Sequence, residues 1–76
     1  MIIYKIDILK EIQKKGYTQE EIKKKKILSG GTIDQIRDGK GFNMQTLNNL
    51  CILLRCQPND IIEIVPSDKE KIKFFK

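Results

Sequence analysis

Residues 18–40, TQEEIKKKKILSGGTIDQIRDGK, leave little room for anything other than two short helices joined by a tight turn. Thr18 followed by Glu21 has the form of a capping box, in which a hydroxyl and a carboxylate each satisfy a free N–H at a helix start. Beyond the run Lys23–Lys26, Ser29 offers a second N-cap. Ile33 and Ile36 then recur at i, i+3, and Gly39 closes the segment as a C′ glycine. Each helix has only about two turns, too few to persist in water without tertiary packing. The unit therefore needs flanking helices, and the remainder of the chain supplies them.

Ahead of it, MIIYKI is apolar and β-prone, a short strand over 1–6, and Asp7 can cap a helix over 7–15 with Leu9 and Ile12 facing inward and Gly16 as its C′ residue. The two central helices span Gln19 to Lys25 and Gly30 to Asp38, and Phe42, in the loop after them, folds back onto the core. A fourth helix is capped by Asn43 and carries Leu47, Leu50, Cys51 and Leu54 at i, i+3, i+4, i+7, one apolar face opposite a polar face of Gln45, Asn48, Asn49 and Arg55. Pro58 suits the first position of one further helical turn, with Asp60 close behind it. IIEIV (61–65) then reads as a strand that can pair with the first, tying the ends of the domain together. This makes a mainly α fold with five helices and a two-stranded pairing over 1–66, followed by a basic tail, 67–76, expected to be frayed.

The chain of 76 residues lies near the lower limit for a core that stands without staples, and its 39% hydrophobic content excludes a disordered chain. Fifteen basic against ten acidic residues leave a net charge of +5, which favours polyanions such as nucleic acid or anionic lipid. No apolar run approaches the ~18 residues of a membrane span. The N-terminus lacks the basic and small-residue flanks of a secretion signal, so the expected location is the cytoplasm. Enzyme chemistry has little to hold: there is no histidine, no phosphate-cradling glycine loop, and no nucleophile beside an evident base. Two thiols and no histidine do not make a structural zinc site. If Cys51 and Cys56 are both helical, helix geometry puts their Cα atoms roughly 8–9 Å apart, beyond disulfide reach. Cys51 is then core filler.

The 18–40 stretch resembles the helix-turn-helix of Cro- and phage-repressor-type (Xre-like) transcription regulators, whose usual form is TQ-x-x-L-A-x-x-x-G-I-S-x-x-T-I/L-x-x-I/L-x-x-G. Thr18, Gln19, Ile22, Leu28, Ser29, Thr32, Ile33, Ile36 and Gly39 fall on matching positions. The continuation FNMQTLNNLCILLRCQPNDIIEIVP is similar to the following helix of small members, and the likeness runs over about residues 6–66. Two positions depart from it. Lys23 replaces a small residue inside the first of the two helices. Ile27 replaces the turn glycine, where a β-branched residue resists positive φ.

The resemblance implies a five-helix lambda-repressor-like domain that binds double-stranded DNA, regulates transcription, acts as a homodimer and needs no cofactor. Helix 30–38 would enter the major groove, with Gly30, Gly31, Asp34 and Gln35 at reading positions and Ser29 and Thr32 close enough to touch DNA. Gln35 can pair with an adenine edge. Thr18 and Gln19, at the start of the preceding helix, and Lys40, just past the reading helix, would hold phosphates. Gly30 and Gly31 read nothing through a side chain, and Asp34 repels phosphate, so direct readout is thin. Arg37 either faces DNA or pairs with a carboxylate of the first helix such as Glu11. Two other readings stay open: a protein-interaction module that keeps the fold, favoured by the paired glycines, and a peripheral membrane protein, favoured only by the tail IKFFK.

Overall fold

The start of each longer helix is decided by one side-chain oxygen. In the computed structural model, which describes residues 1–76, the elements run β1 (Ile2–Tyr4), α1 (Ile8–Lys14), α2 (Gln19–Lys24), α3 (Gly30–Arg37), α4 (Met44–Leu54), α5 (Pro58–Ile61), β2 (Ile62–Ile64) and α6 (Asp68–Phe74). Asp7, Thr18, Ser29, Asn43 and Ser67 each accept from the backbone N–H three residues on, capping α1, α2, α3, α4 and α6. Removing such a cap costs about 1 kcal/mol. The box expected at Thr18–Glu21 forms by half. Thr18 Oγ1 accepts from Glu21 N at 3.1 Å, but the Glu21 carboxylate takes the Thr18 hydroxyl proton at 3.4 Å in place of a backbone N–H.

Nine aliphatic side chains form one core: Ile8 and Ile12 of α1, Ile22 of α2, Leu28 between α2 and α3, Ile33 and Ile36 of α3, Leu50 and Leu54 of α4, and Ile61 of α5. Ile8, on the same face as Ile12 at i, i+4, is the deep residue of α1, and Leu9, expected inside, is only half-buried. On α4 the buried line is Thr46, Leu50 and Leu54, at i, i+4, i+8, and Leu47 and Cys51 flank it. The ends meet as expected: β1 and β2 pair antiparallel, with Ile2 opposite Ile64 and Tyr4 opposite Ile62. Phe42 folds back and stacks on Tyr4, ring centroids 5.9 Å apart.

Three expectations need correction. There are six helices, not five, because the tail expected to fray carries α6. Ser67 and Glu70 form a full capping box there, and the Met1 ammonium donates to Glu70 Oε1 at 2.5 Å and to the Val65 carbonyl at 2.7 Å. That pairing, with help from the Ser67 N–H and hydroxyl, holds the Glu70 carboxyl down at about 2. Of the two alternatives for Arg37, the pairing with α1 does not form: its guanidinium pairs with Asp34 one turn back at 2.9 Å, while Glu11 pairs with Lys14 at 3.2 Å. The cysteine separation rested on a helix running through Cys56, but α4 ends at Leu54. Arg55 turns left-handed (φ 54°, ψ 51°), and the Cys56 N–H donates to the Cys51 carbonyl at 2.9 Å. Both cysteines are free thiols, and burial foremost, then the neighbouring Cys51 and Asp60, push the Cys56 thiol up.

Candidate nucleic-acid interface

The position of α3 follows from which of its residues must be buried. Ile33 and Ile36 are 1% and 5% exposed and turn one side of the helix into the core, so Gly31, Asp34, Gln35 and Asp38 stand on the opposite, exposed side. Four of the expected site residues therefore belong to one surface or its edge: Gly31, Asp34 and Gln35 on the outer face, and Gly30 half-buried beside α2. Ser29 and Thr32 lie at the helix start. The Ser29 hydroxyl caps Thr32 N at 3.1 Å and lies 2.9 Å from the Thr32 hydroxyl. The first contact commits one Ser29 lone pair to the fold, and the second ties the two hydroxyls to each other.

The turn between α2 and α3 is built without a glycine. The left-handed residue is Lys26 (φ 57°), one position ahead of Ile27, which keeps negative φ and packs against the core next to Leu28. A straight-chain residue in that conformation costs roughly 1–2 kcal/mol. Asn49 of α4 offsets part of this by donating to the Ile27 carbonyl at 3.0 Å, with its own oxygen taken by Gln45 at 3.0 Å. Asn49, placed by periodicity on a solvated face, is instead a half-buried strut from α4 to the helix-turn-helix.

Thr18 and Gln19 are exposed at the start of α2, and Lys40 is exposed beyond α3. The backbone of Lys40 is pinned from two sides: its N–H donates to the Gln35 carbonyl at 2.8 Å, and its carbonyl accepts from the Tyr4 hydroxyl. Only its side chain is free to move. Lys23, in the run Lys23–Lys26, is not among the expected site residues. A Cβ built on Gly30 would meet Lys23 Cε at 3.6 Å and Nζ at 3.9 Å, so this ammonium lies beside the first residue of α3. A cation next to the positive end of a helix dipole is unfavourable unless an anion sits there too. The signal was in the sequence, as the lysine standing where the resembling family has a small residue. Lys25 turns away, its Nζ 5.9 Å from the centre of the Tyr17 ring. The Asp34 charge is partly offset by Arg37, both being exposed.

The surface thus joins a bare-backboned helix start, an exposed amide at Gln35, and lysines at both ends of α3. No helix is long and apolar enough to cross a membrane. Neither the curated proteins nor the solved structures give a match to the chain. Residues 7–67, however, match the profile of the Cro/C1-type HTH DNA-binding domain, which covers α1 through β2 and every residue of the surface just described. The chain belongs to the Cro/C1-type helix-turn-helix DNA-binding family.

Proposed function

We propose that this domain regulates transcription by laying α3 in the major groove of duplex DNA, as a homodimer on a two-fold symmetric site. The observation that carries the reading is the outer face of α3: an exposed Gln35 amide between Lys23 at one end and Lys40 at the other. Gln35 offers the donor and acceptor that match an adenine edge. Gly30 and Gly31 let the backbone approach closely, Ser29, Thr32, Thr18 and Gln19 line the approach, and Lys40 grips phosphate. Asp34, tied to Arg37, trims non-specific attraction on the same face. Two protomers place two reading helices about 34–36 Å apart, one turn of the duplex.

Titration of duplex affinity against salt tests the whole reading, and two alanine variants test the roles. Log K should fall linearly with log salt, by about 0.9 per phosphate neutralised. Gln35→Ala should cost about 1–3 kcal/mol on a site selected from random duplexes and almost nothing on a scrambled one. Lys40→Ala should weaken both alike and lower the salt slope by about one. A flat salt response, or no binding at low salt, sinks the DNA reading in favour of a protein-interaction module on the same fold, which the side-chain-free glycine pair favours. Equal losses on both duplexes remove Gln35 as a reader and leave DNA shape to supply specificity.

A further inference from the structure

The chain carries a helix whose apolar side chains are exposed and, beside its two-stranded sheet, an apolar hollow. No residue of α6 is buried, and Ile72, Phe74 and Phe75 are 83%, 69% and 62% exposed. A seven-residue helix with such a surface does not persist in water on its caps alone. Its own domain offers it no cover. The molecule measures 47 × 22 × 19 Å with a radius of gyration of 14.1 Å, against about 11 Å for a compact chain of this length. The hollow lies between the β1–β2 pair and the start of α4, at the edge of the main core. Ile2, Tyr4, Phe42, Met44, Leu47 and Ile62 line a space of about 130 Å³. A cavity of roughly 150 Å³ takes a benzene ring. Of its lining, Ile2 and Met44 are 61% and 79% exposed, and Ile64, opposite Ile2 in the sheet, is 66% exposed.

We infer that a second copy of this chain fills this hollow: the Phe74–Phe75 end of α6 of each protomer inserts between β1 and the start of α4 of the other. The contact is reciprocal, as a two-fold dimer requires. The area suits it, since the exposed parts of Ile2, Met44, Ile64, Ile72, Phe74 and Phe75 amount to on the order of 600 Å² of apolar surface per protomer, against about 800 Å² for a standard interface including its polar rim. The lysines of α6 keep their ammonium groups in water while their stems cover the edge of the contact. This inference rests on the homodimeric reading proposed above and locates its interface.

The test is sedimentation equilibrium on the full chain and two variants, with Phe74→Ser/Phe75→Ser removing the inserting end and Met44→Lys spoiling the hollow. Both changes are at exposed positions, and circular dichroism confirms that each variant is folded. The wild type should dimerise, and each variant should dimerise at least tenfold more weakly. An equimolar mixture of the two variants should associate more tightly than either alone, because the heterodimer keeps one intact insertion. A wild type that stays monomeric at millimolar concentration, dimers unaffected by either variant, or a mixture no tighter than its parts overturns the inference. Association of α6 with anionic vesicles in place of self-association overturns it as well. Affinity of all three proteins for a single half-site is measured alongside. If dimerisation fails while the half-site is bound, only this interface falls; if the wild type binds no DNA, the functional reading falls by itself.

Discussion

Replacing Leu50 by alanine is the sharpest probe of how this domain holds α3 in place. Leu50 is 0% exposed at the middle of α4, in the same cluster as Ile12 of α1, Ile33 of α3 and Ile61 of α5. Core Leu→Ala substitutions cost roughly 2–5 kcal/mol. At about 0.05–0.15 kcal/mol per residue, the whole domain has only about 4–11 kcal/mol to lose. With an unfolding entropy near 2.1 cal/mol/K per residue, a loss of about 3 kcal/mol lowers Tm by roughly 20 °C. Two neighbours on the same helix calibrate the measurement. Asn49→Ala breaks the bond to the Ile27 carbonyl, a net loss of about 0.5–1.5 kcal/mol, or roughly 3–9 °C. Ile52→Ala, at a position 69% exposed, should stay within about 0.5 kcal/mol of the wild type. Thermal melts followed by far-ultraviolet circular dichroism, checked against guanidinium midpoints, should rank the three losses as Leu50, then Asn49, then Ile52. Equal shifts for Leu50→Ala and Ile52→Ala would refute this register for α4, and with it the placement of α3 against it.

Two further outcomes follow from the ends of the site and of the chain. Gly31 is helical with nothing within 4 Å of an added Cβ, so Gly31→Ala should stabilise the free protein by about 0.5–1 kcal/mol while weakening DNA binding; a variant that is more stable and binds DNA equally well shows that close backbone approach is not used. Glu70 is held at about 2 by the Met1 ammonium, well below the ~4.3 of a free glutamate, so its contribution to docking α6 is fully present above about pH 4.3 and is lost as pH falls toward 2; a carboxyl carbon titration by NMR that gives an ordinary glutamate value refutes the pairing.

The parts of the fold legible in the sequence were those set by local chemistry. Caps at Asp7, Ser29 and Asn43, the C′ glycines Gly16 and Gly39 with φ of 91° and 73°, and the aliphatic spacing of α3 and α4 each depend on a few neighbouring residues. What escaped reading depends on groups far apart in the chain. The tail SDKEKIKFFK has too little periodicity to announce a helix, and what anchors α6 is the Ser67–Glu70 box together with an ammonium 69 residues away. The polar face of α4 reads as solvated until the chain folds and brings the Ile27 carbonyl to Asn49. Arg37 pairs with a carboxylate one turn back, at Asp34, in place of the α1 carboxylate named as one of its alternatives. The site residues were placed by resemblance, and burial of Ile33 and Ile36 is what turns Gly31, Asp34 and Gln35 outward together.

The missing turn glycine shows how the fold accommodates a departure without moving the site. The turn needs one residue at positive φ, and a β-branched side chain there would be costlier than a straight one. The chain places that burden on Lys26, whose unbranched stem tolerates it better, and so frees Ile27 to stay at negative φ and pack against the core. Burial of Ile27 and Leu28 then stabilises the turn through apolar area, and Asn49 ties its backbone to α4. The angle between α2 and α3 is therefore set by core packing and one hydrogen bond, more than by the intrinsic preference of the turn residues. The second departure acts on the same junction from outside. Lys23 brings a positive charge to the start of α3, where Gly30 leaves room for its side chain to lie close. Under the proposed DNA reading, a phosphate at this helix start relieves that repulsion. The two residues that depart from the family pattern thus converge on one junction, Ile27 packing it against the core and Lys23 adding positive charge beside it.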